Sequence, residues 1–402
     1  MVEKLYNSKD SWRKSIVFVT RFLCLLAMRW HHNLVQAANL LQNGDFEAPP
    51  AKIRVNETNQ RAVLSPSNKL SGWEFGGVVE YIKGGGYISL PDNGHGIQLG
   101  ENGWISQNFR SKPGSLYLLT FTFTAAGTDC WWTPSYLILS VPPHSTVFYL
   151  QQRYGHEAWE THAWGFRATS VKTDVKFARQ AQTYANISCG PLLAAVYLKE
   201  QENLESVSDN ILLNGNFEQG PSFYPKSTRG VLLHPVDDGD GEASSLPGWK
   251  IQDTVKYIDF DERSRGIEIV SGPTGGIEQS VYLATGVKYV LKFQAGDANN
   301  LCYGGLAVGV RGGSSAHNFS YMSYGKGDFM DFSMEFYAFA QLTNFSFVSL
   351  YRAETKDLTF CGPVIENVVL VPSQGELKSK ASNILAMMLA ILLALLGVQS
   401  LA

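Results

Sequence analysis

Apolar and polar residues alternate at a period of two in several short stretches of the chain. Phe345-Ser346-Phe347-Val348-Ser349-Leu350 is the clearest. Tyr117-Leu118-Leu119-Thr120-Phe121-Thr122-Phe123 and Tyr289-Val290-Leu291-Lys292-Phe293-Gln294 are rich in β-branched and aromatic residues, and Leu192–Leu198 and Val364–Val371 are apolar runs of strand length. These predict strands, because successive side chains of an extended chain point to opposite faces. Clusters of Gly, Pro, Asn and Asp separate them; Gly alone accounts for 38 of 402 residues. The helical period is weak between the two ends. Short strands with turn-rich joints predict an antiparallel sandwich. An Asn-Gly-x-Phe-Glu strand start and an apolar closing strand suit a jelly roll.

The two ends break the pattern. Arg13 and Lys14 precede an apolar stretch, Ile16–Met28, interrupted by Arg21; Val35-Gln36-Ala37 then fits a cleavage site before Ala38. Residues 1–38 therefore read as a signal peptide, with an uncleaved anchor as the other reading. Ile384–Ala402 is apolar and uncharged, follows the polar spacer Glu376–Asn383, and is preceded by Ser373-Gln374-Gly375. That order is the layout of a GPI-attachment signal over 373–402, with Ser373 as attachment residue and Ser379 or Ala381 as alternatives. A single tail-anchor helix is the plainer reading. Four N-x-[ST] acceptors, Asn56, Asn186, Asn318 and Asn344, lie between the ends and read as N-glycosylation sites of a secreted chain.

The cysteines reveal a duplication. Cys24 falls in the leader. The gap from Cys130 to Cys189 equals that from Cys302 to Cys361, 59 residues. The surrounding text repeats too. Asn43–Glu47 returns as Asn214–Glu218, Gly72-Trp73 as Gly248-Trp249, Val79–Ile82 as Val255–Ile258, and Cys189-Gly190-Pro191 as Cys361-Gly362-Pro363. Two domains follow, 39–200 and 211–372, joined by a polar linker at 201–210. In an oxidising route the cysteines form disulfides, and the repeat favours Cys130–Cys189 with Cys302–Cys361.

Composition narrows the function. Apolar residues make up 45% and charged residues 17%, which excludes a disordered chain. The net charge is −3 with no basic run in the body of the chain, so nucleic acid is not expected as a partner. Hydrolase signatures are missing: there is no Gly-x-Ser-x-Gly elbow, and His156-Glu157-Ala158-Trp159-Glu160 ends on Glu where a zinc-protease helix needs His. His95, His156 and His162 lack counterparts in the second repeat and read as exposed or structural.

The ordered set Asn43–Glu47, Ala48-Pro49-Pro50, Gly72-Trp73, Val79–Ile82, Asn214–Glu218, Leu246–Trp249, Gly296-Asp297 and both Cys-Gly-Pro runs resembles the plant cell-wall DUF642 family over almost all of the chain. The resemblance implies an all-β fold of two tandem antiparallel jelly-roll β-sandwiches of the galactose-binding-like kind. It implies a non-catalytic, extracellular wall protein that binds pectin or cellulose, and a GPI anchor agrees with some members. Pectin methylesterase is the implied protein partner, so a module recruiting that enzyme is the alternative function. The chain departs from the pattern at Ala194, where the family has an acidic residue; the second repeat keeps Glu366.

Two chemistries remain. No cofactor is required, but in jelly rolls of similar layout calcium sits where the first strand meets the last; Glu218 and Glu366 would supply its carboxylates, whereas the first repeat pairs Glu47 with Ala194. Without calcium, Glu47 and Glu218 hydrogen-bond neighbouring backbone amides. Sugar rings stack on aromatic side chains. Trp73, Trp249 and Trp164 read as core, while Trp131, Trp132 and Tyr303, which follow the first cysteine of each pair, and Trp104, which meets Gly276 in the repeat, are the candidate platform.

Overall fold

A computed structural model describes residues 39–51, 53–55, 60–86, 88–125, 136–150, 159–179, 190–204, 209–223, 230–236, 242–260 and 264–373. Among the described residues the first half holds eleven strands: β1 (Arg61–Val63), β2 (Glu74–Gly76), β3 (Val79–Lys83), β4 (His95–Leu99), β5 (Trp104–Arg110), β6 (Leu116–Ala125), β7 (Tyr136–Val141), β8 (His144–Tyr149), β9 (Trp159–Arg167), β10 (Lys172–Ala178) and β11 (Pro191–Glu200). The second half repeats them as β12 (Val231–Leu233), β13 (Glu242–Ala243, an addition), β14 (Lys250–Gln252), β15 (Val255–Phe260), β16 (Ser264–Glu268), β17 (Gly276–Tyr282), β18 (Lys288–Gly296), β19 (Tyr303–Gly312), β20 (Ser315–Tyr324), β21 (Phe329–Tyr337) and β22 (Leu342–Ser349). A short hairpin, β23 (Ala353–Glu354) with β24 (Phe360–Cys361), precedes the closing β25 (Val364–Pro372).

Each half is a two-layer sandwich. In the first, strands ordered β1-β3-β4-β11-β6-β9 face a five-stranded sheet ordered β2-β5-β10-β7-β8. In the second, β12-β15-β16-β25-β18-β21 faces β14-β17-β22-β19-β20. The strands the alternation predicts are all present, and alternation is the reason. In β10, Thr173, Val175 and Phe177 turn inward while Lys172, Asp174 and Lys176 turn outward. Phe46, Trp73, Tyr81, Ile105, Phe121 and Phe177 fill the first core, and Phe217, Trp249, Tyr257, Ile277, Phe293 and Phe347 fill the second. Trp164 is buried as well.

The repeated sequence text marks what holds a sandwich together. Asn-Gly-x-Phe-Glu is a tight turn and not the strand start the sequence predicts. Asn43 and Phe46 take φ of 48° and 58°, and Asn214 and Phe217 take 49° and 56°, all in the left-handed region that no strand contains. Repeated side chains lock this turn. Trp73 Nε1 donates to the Asn43 carbonyl (3.1 Å) and Tyr81 Oη to the Phe46 carbonyl (2.8 Å). Trp249 and Tyr257 do the same for Asn214 (3.1 Å) and Phe217 (2.7 Å). The Cys-Gly-Pro glycines let two backbones touch: a Cβ on Gly190 would collide with the Leu99 carbonyl, and one on Gly362 with the Ile269 carbonyl. Cys302 and Cys361 form a disulfide, Cα–Cα 5.9 Å. Cys130 and Cys189 lie outside the described residues.

The two halves share one sheet. β12 pairs in parallel with β9, Leu232 opposite His162 and Leu233 opposite Ala163, and β13 pairs with β9 through Ala243 and Gly165. Glycine is required at 165, because a Cβ there would run into the Ala243 carbonyl. The seam also buries a polar chain. His162 Nδ1 lies 2.8 Å from His234 Nε2, the rings stack 5.0 Å apart, Glu160 Oε2 lies 3.2 Å from His162 Nε2, and Thr254 Oγ1 lies 3.4 Å from His234 Nδ1. Burial, and secondarily the neighbouring His162, pushes His234 down to about 3. His162 is thus structural, as its lack of a repeated partner suggested.

Candidate functional site

Strand register places the outward side chains of β2-β5-β10-β7-β8 in rows. One row runs Gly76, Trp104, Ala178, Ile138, Val147. The next runs Glu74, Ser106, Lys176, Ser140, Ser145. Asn108 with Asp174, and Arg110 with Lys172, follow at one end, while Tyr136 and Tyr149 pair at the other with ring centroids 6.1 Å apart. Trp104 lies flat because Gly76 leaves it room: a Cβ there would come within 2.6–2.8 Å of the indole. Lys176 Nζ sits 4.4 Å from the indole centroid. Ser140 and Ser145 hydroxyls lie 2.9 Å apart. Burial raises the Asp174 pKa, the Glu74 charge adds to it, and Lys176 and Lys172 oppose it.

The corresponding face of the second sandwich differs at almost every position. Its rows run Gln252, Gly276, Val348, Gly309, Asn318 and Lys250, Glu278, Ser346, Arg311, Ala316. Glycine stands where the first face has Trp104. Gln252 Nε2 donates to Glu278 Oε2 (2.7 Å), as does Asn344 Nδ2 (3.3 Å). Tyr303 lies on this face beyond the glycines, edge-on to Tyr324 at 6.1 Å, and both rings are more than half exposed.

Two of the candidate platform residues, Trp104 and Tyr303, thus stand on equivalent sheet faces of different sandwiches and do not share one site. Trp131 and Trp132 lie outside the described residues, as do Asn56, Asn186 and the segments 1–38 and 374–402. Ser373 is the last described residue; its backbone N–H donates to the Lys288 carbonyl (2.9 Å). Sequence reasoning missed Lys176, Tyr136 and Tyr149. The tyrosines were findable: Tyr136 and Tyr149 are equidistant from the turn at Pro142-Pro143, so a hairpin there must place them opposite each other.

Glu366 sits at the bulge of β25, buried. Burial raises its pKa, the nearby Glu218 charge adds to this, and hydrogen bonds from Ser264 and Asn367 oppose it. Asn367 Nδ2 reaches Glu366 Oε1 (3.1 Å), and the Glu218 carbonyl accepts from Arg265 Nη1 (3.1 Å). In the first sandwich, Glu47 is taken up by His95, through Nδ1 (2.7 Å) and the backbone N–H (2.8 Å), and Ala194 is buried in the place of Glu366. Among the described residues no three His, Cys, Asp or Glu side chains gather into a metal-holding group. Glu218 and Glu366 are thus electrostatic neighbours in the second sandwich, whereas in the first Ala194 replaces the second carboxylate.

These features define a tandem β-sandwich protein whose repeats share their scaffold and differ on their sheet faces. The chain belongs to the DUF642 family. The profile described as "Protein of unknown function (DUF642)" matches residues 39–199 and 210–371. Protein DUF642 L-GALACTONO-1,4-LACTONE-RESPONSIVE GENE 2 of Arabidopsis thaliana is 35% identical over 346 residues, 83% of this chain and 91% of that protein. Protein TEEBE of Arabidopsis thaliana is 34% identical over 345 residues, 82% of this chain and 90% of that protein. Among solved structures, the tandem CBM22 domains of Paenibacillus barcinonensis Xyn10C overlap at a TM-score of 0.25 and 10% identity, over 84% of this chain and 98% of theirs. An overlap this loose carries no argument about ligand or site.

Proposed function

We propose that this protein is a non-catalytic, extracellular wall protein that binds acidic polysaccharide on the five-stranded face of its first sandwich. One observation carries the reading: an indole laid flat on an outward sheet face, ringed by short hydroxyls and flanked by charge. Pyranose rings have apolar C–H faces that stack on indole, and Glu74, Asn108, Ser140 and Asp174 offer partners to hydroxyls. Lys176 covers the indole in the free protein. An exposed cation–π contact is worth only about 0.5–1 kcal/mol, so a sugar ring can displace it. Charge favours pectin over cellulose. Arg110 and Lys172 share one row and Lys176 stands two rows along, with Asp174 between the lysines; three cations there suit carboxylate-bearing pectin better than neutral cellulose. A structural calcium between Glu218 and Glu366 and a GPI tether at Ser373 belong to the same reading.

Titration of the secreted chain with oligogalacturonate tests it. Trp104→Ala is expected to weaken binding at least tenfold, equivalent to about 1.4 kcal/mol, with unchanged thermal stability. Equal affinity of wild type and variant removes the site. A second reading, capture of a pectin methylesterase, is favoured by the exposed Leu301, Tyr303, Met322 and Tyr324 of the second sandwich. Such capture is expected to survive Trp104→Ala.

A further inference from the structure

The two acceptor asparagines within the described residues both stand on the face that lacks the indole. Asn318 lies on β20 opposite Gly309 and closes the row of Gln252, Gly276 and Val348. Asn344 lies on β22 opposite Ser280, with Ser280 Oγ donating to its Oδ1 (3.3 Å). Both side chains are exposed. Their neighbours argue for this placement. The inward side chains of these strands, Phe345, Phe347 and Tyr321, belong to the second core. Residues two apart on a strand share a face, so each acceptor and its serine, Ser320 or Ser346, point outward together.

The geometry brackets the middle of the face. Strands lie about 4.8 Å apart and rise about 3.4 Å per residue. Asn318 and Asn344 are two strands and four residues out of register, so their backbones stand about 16 Å apart on a sheet only five strands wide. Between them runs the row of Glu278, Ser346, Arg311 and Ala316, and beside Asn318 the surface is low, at Gly309 and Gly276. The first face has Val147 and Asp174 at the two equivalent positions, and neither can accept a glycan. No asparagine on its five strands begins an N-x-[ST] motif.

We propose that Asn318 and Asn344 carry N-linked glycans that lie over the five-stranded face of the second sandwich and close it to polysaccharide. Of the two five-stranded faces, the first is then the one open to wall glycan. The duplication has thereby become a division of labour: one face binds sugar from outside, and the other is covered by sugar of its own. This inference rests on the reading of these faces as polysaccharide surfaces.

The test uses the full chain secreted from eukaryotic cells. Peptide mass mapping is expected to find glycan on both Asn318 and Asn344. Calorimetric titration with a decameric oligogalacturonate is expected to give one site for wild type and two for Asn318→Gln/Asn344→Gln, the added one held by Lys250 and Arg311. Adding Trp104→Ala to the double variant should return it to one site. Trimming the folded glycoprotein with an endoglycosidase should raise the stoichiometry in the same direction, which guards against a double variant that folds poorly. Unoccupied asparagines overturn the proposal. So does a wild type that binds one oligogalacturonate while both the double variant and the trimmed protein also bind one. Wild type that binds none overturns the functional reading, and this proposal with it.

Discussion

The two sandwiches agree hydrogen bond for hydrogen bond where they hold themselves together and disagree where they meet something else. The Asn turn, its Trp and Tyr anchors and the Cys-Gly-Pro contact are duplicated. Three other places have diverged. The β9 edge has Gly165 and His162, whereas its counterpart β21 has Glu335 and Phe332 at the matching registers. The first sheet face has Trp104 where the second has Gly276. The closing strand has Ala194 where the second has Glu366. Duplication preserves the terms of folding, and the copies separate at edges, faces and closing strands. The two edges differ in what they can accept. β9 accepts a neighbour; β21 presents Asp331 and Glu335 outward, and charge on an edge strand discourages further pairing.

Exchanging the two edge residues is the strongest way to break this comparison. In Gly165→Glu the side chain must displace β13 from the Ala243 carbonyl contact and bury a carboxylate in the seam. An uncompensated buried charge costs on the order of 3–5 kcal/mol. Thermal unfolding is expected to fall sharply and to split into two transitions as the sandwiches uncouple. The reciprocal Glu335→Gly loses only the exposed ion pair with Lys288 (2.6 Å) and a strand residue, together about 1 kcal/mol. Similar losses in the two variants would show that the seam does not depend on Gly165.

Acid should act on the same seam more gradually. His234 is held down to about 3 in the folded chain, against about 6.5 when unfolded. A base whose folded pKa is depressed contributes stability that is fully present above the unfolded pKa. That stability drains away as pH falls from about 6.5 towards 3, at about 1.4 kcal/mol per unit. Glu160, His162 and Thr254 are the polar groups around the pair, and Phe148 packs on both rings. Urea midpoints at pH 7, 5.5 and 4.5 are expected to fall more steeply in wild type than in His234→Asn. Parallel slopes would assign the acid sensitivity elsewhere.

Much of this was legible in the sequence because it is local or repeated. Period-two alternation announces β22, and the duplicated Trp73 and Trp249 read as core. Trp104 stood out because Gly276 takes its place in the second repeat, and it does stand on a sheet face. The seam was not legible. His162 and His234 are 72 residues apart and neither is repeated, so nothing in the text links them until β12 docks on β9. Asn-Gly-x-Phe-Glu misled for a related reason: a left-handed φ at Phe46 and Phe217 is imposed by the Trp and Tyr bonds that close over the turn, and phenylalanine does not announce it. The sheet faces depend on register, so Lys176 over Trp104 emerges only when β10 and β5 are aligned.

The smallest expected effect probes the closing strands. Glu218 and Glu366 interact in the second sandwich, whereas Glu47 in the first is already engaged by His95 and Ala194 stands in the place of the second carboxylate. A calcium ion would relieve the crowding of two carboxylates in the second sandwich and has no pair to hold in the first. A ligand that binds only the folded chain stabilises it by about 1.4 kcal/mol at ten times its dissociation constant. Millimolar calcium is therefore expected to raise the melting temperature by a few degrees, and magnesium, which dehydrates reluctantly and demands tighter geometry, by less. Glu366→Gln should abolish the calcium shift, and Glu47→Gln should leave it intact. A shift that survives Glu366→Gln would place the ion elsewhere. A shift lost equally with Glu47→Gln would mean that the two closing strands had not diverged in this respect after all.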